Sequence, residues 1–205
     1  MMVYGCRMAT AAKLATYDDL LALPEEVRAE VLGGELVTQP SGLPEHGRLQ
    51  AGLGRFLGGP FDFDDGGPGG WWIVAEIDVR FGPHDITRPD VAGWRRERLA
   101  SPWGKRPIDV VPDWICEILS PSSITRDRVY KQRLYARHGV PFYWLIDPAA
   151  RTLEALALEG GRWVVVGAHD ATAVVRVPPF DAVELPLGRL FPPDVPTDSS
   201  GEPPR

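Results

Sequence analysis

One carboxylate constrains this chain more than any other residue. Glu117 lies in the run WICEIL, among Trp114, Ile115, Cys116, Ile118 and Leu119. A short apolar run bounded by prolines reads as a buried strand. An unpaired ionised group there costs several kcal/mol, on the order of a buried ion's penalty. The fold must therefore bring it a lysine, a proton or a metal ion. A second apolar run, residues 142–146, reads as another buried strand, and the polar segment between the two has helical spacing. Such a strand–helix–strand unit predicts a parallel pair with the helix packed on one sheet face.

The chain has 205 residues, 44% of them hydrophobic, enough for one core of moderate size. No apolar run approaches the roughly 20 residues that span a bilayer. The N-terminus has no basic-then-apolar leader, so a cytoplasmic protein is expected, with Met8 as a possible alternative start. Cys6 and Cys116 do not make a disulfide framework, and Cys116 reads as a small core residue. A net charge of −6 argues against a surface that coats nucleic acid, but leaves room for a local basic patch.

Taken in order, Thr16 opens a short helix with Asp19 three residues on, and Pro24 ends it. RAEVLGGELV, residues 28–37, alternates around Gly33-Gly34, a two-residue hairpin turn. Leu49, Leu53, Phe56 and Leu57 form a helical stripe over 44–57, with His46 near its start. Gly and Asp make 58–70 a flexible loop. WWIVAEIDVRF, residues 71–81, reads as one strand whose second face, with Glu76, Asp78 and Arg80, is solvated or faces a site. Residues 86–94 give another strand, weakened at Pro89. Arg95, Arg96, Arg98, Lys105 and Arg106 fall in a basic loop with Trp94 and Trp103. That loop is either a solvated surface or a phosphate-steering patch with stacking aromatics.

Thr125 is placed to cap a helix running to about His138, with Asp127 in its first turn and Gly139 as its stop. Residues 152–159 and 162–168 form a hairpin around Gly160-Gly161, and 172–177 offer a further strand.

Three polar positions can converge: Asp90, Glu117 and Lys131. Two carboxylates on adjacent strands make an oxygen site for Mg²⁺ or Mn²⁺, and a nearby lysine can orient a water or offset phosphate charge. The same residues equally suit a bland reading, with Asp90 in a turn and Glu117–Lys131 as a structural ion pair. His46 is then a capping or surface residue, Tyr135 and Tyr143 are packing, and Asp127 serves the helix N-terminus. No serine triad, phosphate loop or dinucleotide fingerprint is present.

These residues also carry a resemblance. Arg88-Pro89-Asp90, then CEILSPSS at 116–123 and RDRVYKQRLYARHGVPFYWLIDP at 126–148, resemble the Uma-type family of restriction endonucleases. That family belongs to the PD-(D/E)XK nuclease superfamily. AEVLGGELV and PEHGRL match the family's opening hairpin and His-bearing helix. The resemblance covers residues 14–191 and implies that Asp90 and Glu117 are catalytic and hold the metal. Leu119 stands where the superfamily pattern has lysine, and the resemblance implies that Lys131 replaces it. Glu30 matches an acidic position of the first hairpin, as a further catalytic group or as a solvated strand carboxylate.

The expectation is an α/β fold with a restriction-endonuclease-like mixed sheet, flanked by helices and carrying a C-terminal β-hairpin extension. Residues 1–13 would be an extension, 14–191 one nuclease-like domain, and 192–205 a disordered tail. The expected activity is Mg²⁺- or Mn²⁺-dependent hydrolysis of DNA, by a homodimer where both strands are cut. The alternative is a catalytically silent module of the same fold that binds nucleic acid or assembles with protein.

Overall fold

The computed structural model describes residues 13–193. Cys6, Met8, most of the expected N-terminal extension and residues 194–205 of the expected tail lie outside the described residues.

Two sheets and a bent hairpin organise the fold. In spatial order the larger sheet runs through residues 162–170, 152–159, 142–147, 114–118, 91–95 and 71–75, and the smaller through 35–39, 28–32, 85–87 and 79–82. In the larger sheet, β7 (Trp114–Ile118) and β8 (Phe142–Asp147) run parallel, and the other neighbours are antiparallel. The sheet is therefore mixed, and the parallel pair is the one expected. The hairpin β9 (Thr152–Glu159)–β10 (Arg162–Asp170) pairs with β8, so it widens this sheet. In the smaller sheet, β1 (Arg28–Leu32) and β2 (Glu35–Gln39) meet at Gly33 and Gly34, with φ of +59° and +83°. Two consecutive positive φ values are what a tight hairpin turn requires.

Residues 71–95 do not make two continuous strands. The first arm splits into β3 (Trp71–Ala75) and β4 (Val79–Gly82), the second into β5 (Asp85–Thr87) and β6 (Val91–Arg95). β3 pairs β6 in the larger sheet, and β4 pairs β5 in the smaller. The break in one arm is at Glu76, whose φ is +55°. The break in the other is at Pro89, which has no N–H to give a ladder. Both arms thus turn a corner at the same level, and Asp90 sits on it.

The short helix expected after Thr16 is α1 (Tyr17–Leu21). The faces of the larger sheet are filled from both sides. Trp114, Cys116 and Ile118 pack with Leu49 and Leu53 of α2 (Pro44–Leu53) and with Phe180. Ile115 and Leu119 pack on the other face with Leu134 and Tyr135 of α3 (Gln132–Arg137). Two helical expectations are corrected. α2 continues as a π-helical stretch, Gly54–Asp62, so the flexible loop does not begin at 58. Thr125 is itself helical (φ −68°, ψ −39°) and makes no side-chain cap, and the segment opens as a π-helical stretch, Arg126–Lys131, before α3. The strand expected at 172–177 shrinks to β11 (Val174–Val175), which pairs β12 (Leu185–Pro186).

Candidate active site

A cleft of about 640 Å³ opens at the corner. Asp90, Glu117, Asp127, Lys131, His46 and Arg126 all line it. Continuing the β6–β7 register by one residue places Asp90 across from Glu117.

Glu117 obtains the partner its burial demands. Strand alternation turns it to the face covered by the 126–137 helix, where Lys131 is the residue that leads directly into α3. Lys131 Nζ is 3.0 Å from Glu117 Oε1, 2.8 Å from Glu30 Oε1 and 3.5 Å from Asp127 Oδ1. Glu30, Glu117, Asp127 and Lys131 are all buried. Glu30 is no solvated strand carboxylate, since its Oε1 also accepts the Arg88 N–H at 2.7 Å. Tyr135, expected only to pack, donates its hydroxyl to Glu117 Oε1 at 2.7 Å. Both hydrogen bonds of Glu117 fall on Oε1, which leaves Oε2 without a hydrogen-bond partner among the described residues.

The electrostatics follow from burial and charge count. Burial alone would pull the Lys131 ammonium down, but Glu117, Glu30 and Asp127 outweigh it and hold it well above the ordinary lysine range. Lys131 is therefore a permanent cation. Burial pushes Glu117 up, Lys131 opposes this, and Asp127, Asp90 and Glu30 add to the rise. Burial, with Glu117 second, raises the Tyr135 phenol too, so it stays a neutral donor.

A second group meets this one at Asp90. His46 Nε2 lies 3.0 Å from Asp90 Oδ1, while Asp90 Oδ2 accepts the N–H of Ile118 at 2.6 Å. One ligand atom each from His46, Glu76 and Asp90 lies within 4.8 Å of the others. Glu76 is held by Arg28 and by Gln50 Nε2, the latter at 2.8 Å. The hydrogen bond to Asp90 raises the His46 imidazole above its ordinary value, against the effect of burial. Two carboxylates and an imidazole suit a divalent cation that takes both oxygen and nitrogen donors, as Mn²⁺ does.

The sequence reading reached Asp90, Glu117, Lys131 and Glu30, and all four are here. It ranked His46 low and missed Glu76 and Tyr135. Only the strand-alternating face at 71–81 hinted at Glu76, and a positive φ in a non-glycine residue cannot be read from that pattern. The basic loop is largely committed to internal partners. Arg98 pairs with Asp113 at 2.6 Å, Arg106 with buried Asp78 at 2.9 Å, and Arg96 with Asp62 and Asp64 at 3.4 Å. Arg95 and Arg96 also lie over the rings of Trp71 and Trp72.

With this geometry in hand, the chain can be set beside known proteins. A family model described as "Uma2: Putative restriction endonuclease" matches residues 14–188. The crystal structure of a "putative nuclease belonging to DUF820" from Anabaena variabilis ATCC 29413 superposes with a TM-score of 0.65 at 24% sequence identity. The match covers 86% of this chain and 97% of that one. At that identity the likeness speaks for the fold. No curated protein matches.

Proposed function

Starting from a chain that belongs to the Uma2 family of restriction-endonuclease-like proteins, we propose that it hydrolyses phosphodiester bonds of DNA with a divalent metal ion. The observation that carries this reading is the placement of Lys131. A buried lysine, charged and gripped by Glu30 and Glu117, lines the same cleft as Asp90 and His46. An ion pair built only for stability has no need of a cleft, and burying one contributes little net stability.

Asp90 and Glu117 would hold Mg²⁺ or Mn²⁺, with His46 and Glu76 beside Asp90. The ion would lower the pKa of a water and draw charge from a phosphate oxygen. The other steps fall to the chain's own groups. Lys131 stands in for the lysine that Leu119 lacks. As a permanent cation held among carboxylates it acts through its field, offsetting charge that develops on the phosphate; it does not take a proton. Glu30 and Asp127 hold the ammonium in place. The Tyr135 hydroxyl fixes Glu117 Oε1, and the Ile118 N–H fixes Asp90 Oδ2. Residues 14–191 would act as one nuclease-like domain, and cutting both strands would take two copies of it.

The test is cleavage of supercoiled plasmid. Wild type should nick or linearise it with Mn²⁺, and neither wild type in EDTA nor Asp90→Asn in Mn²⁺ should do so. A folded wild type that gains Mn²⁺-dependent thermal stability yet leaves the plasmid intact points to the catalytically silent module.

A further inference from the structure

The cleft that is to receive a polyanion is itself rich in carboxylates, with Glu45, Asp90, Glu117, Asp127 and Asp147 in its walls. Its cationic side chains are Arg28, His46, Arg126 and Lys131. Three of these are committed to close acidic partners. Arg28 is bound to Glu76, His46 to Asp90, and Lys131 to Glu30 and Glu117.

Arg126 is different. Its Nε lies 3.7 Å from Glu30 Oε2 and 3.8 Å from Asp127 Oδ1. These separations are too long for hydrogen bonds. All three atoms are buried and have no hydrogen-bond partner. Two carboxylates thus hold the root of the guanidinium by charge. Among the described residues its terminal nitrogens make no hydrogen bond, and its ion pairs run through Nε. Its side chain is 15% exposed and lines the cleft.

From this we infer that Arg126 anchors a backbone phosphate of the nucleic acid in the cleft, a role that rests on the nuclease reading above. A planar guanidinium with its two terminal nitrogens free presents parallel donors at the spacing of two phosphate oxygens. Buried Lys131 cannot do this, since its ammonium is already shared among three carboxylates. Glu30 thereby serves both cations, with Oε1 toward Lys131 and Oε2 toward Arg126.

The experiment compares wild type with Arg126→Gln and Arg126→Lys by three readouts. These are anisotropy of a labelled DNA duplex in EDTA across a KCl series, steady-state cleavage in Mn²⁺, and thermal shift with inorganic phosphate. Arg126→Gln should weaken binding about tenfold and lower the slope of log K against log salt by about one. KM should rise by a similar factor, with kcat changed less than about threefold, as expected for an interaction made equally before and during reaction. Wild type should be stabilised by inorganic phosphate and Arg126→Gln should not. A folded Arg126→Gln with wild-type slope, KM and phosphate response overturns the anchor. If that variant does not fold, Arg126→Lys keeps a cation beside Glu30 and Asp127. A raised KM and weaker phosphate response there support the anchor, and wild-type values overturn it. A wild type that takes phosphate through Arg126 but never cuts DNA overturns the nuclease reading alone. One that cuts DNA with no dependence on Arg126 overturns the anchor alone.

Discussion

Glu117 and Asp90 face each other across two strands, yet they sit in opposite electrostatic settings. Glu117 belongs to a deeply buried cluster, where Lys131 is shared among Glu117, Glu30 and Asp127 and Tyr135 donates to Glu117. Asp90 belongs to a half-open group with His46 and Glu76, at the corner where the hairpin bends between sheets. In the buried cluster each charge is indispensable to the others, because removing one leaves the rest buried and uncompensated. In the open group each charge keeps some access to water, so its loss is felt less by the fold and more by any ligand. The cleft thus joins a wall of almost fully buried charged groups to one whose charged groups are partly exposed.

Removing the lysine should show this difference at its largest. Lys131→Met leaves Glu30, Glu117 and Asp127 facing one another, and should cost about 3–5 kcal/mol in urea denaturation, as breaking a buried pair does. Plasmid cleavage should vanish as well. The double variant Lys131→Met/Glu117→Gln should recover part of the stability, since one stranded charge is gone. A loss below about 1 kcal/mol for the single change would mean that the pocket admits water, and the contrast with the open group would fail.

Asp90→Asn should cost less, about 1–2 kcal/mol, because Asn can still accept the Ile118 N–H. Its effect on ligand should be larger than on fold. The rise in Tm that Mn²⁺ gives wild type should be absent from Asp90→Asn, measured by differential scanning fluorimetry. An unchanged Mn²⁺ shift would move the metal away from Asp90.

Acidity separates the two groups on a finer scale. The folded-state value of His46 is raised, first because of its hydrogen bond to Asp90. A raised value means that the stabilisation is complete below the unfolded value, about 6.5, and is lost as pH climbs through the folded value. The stability gap between wild type and His46→Gln should therefore be greatest near about pH 6 and close at alkaline pH, with an amplitude under about 1 kcal/mol. Urea midpoints at several pH values would read it. A gap that widens with pH would reverse the assignment of His46 as the proton-bearing partner of Asp90.

The smallest effect belongs to the basic loop, which the sequence leaves open between a solvated surface and a phosphate-steering patch. Arg95 lies on the Trp71 ring at 4.7 Å. Arg95→Ala should change the salt slope of DNA binding by much less than the loss of about one expected when a phosphate contact is removed. A full unit lost there would restore the loop as part of the binding surface.

Much of the arrangement was legible beforehand, and the unread parts have physical causes. The parallel β7–β8 pair followed from two apolar runs joined by a helical segment, and the β1–β2 turn from two consecutive glycines. The corner was half visible, since Pro89 marked one break. Glu76 marks the other through a left-handed backbone that no propensity anticipates. The basic loop stayed open between two readings because formal charge counts residues and not partners. Asp62, Asp78 and Asp113 reach it from 34, 28 and 15 residues away in the chain.

By itself the sequence determined that Glu117 would be buried and would need a cation, because a charge inside an apolar strand has no other stable outcome. It also determined the elements that carry Glu117, Lys131 and Glu30, since period, proline and glycine act locally. Only the tertiary structure decided that Lys131 turns inward to three carboxylates, that His46 and Glu76 gather at Asp90, and that Arg126 keeps its fork free. Those choices depend on register across the sheets and on which groups are shut off from water together. Both are set by contacts between distant parts of the chain, and the strength of each charge's demand for a partner is set by that shared burial.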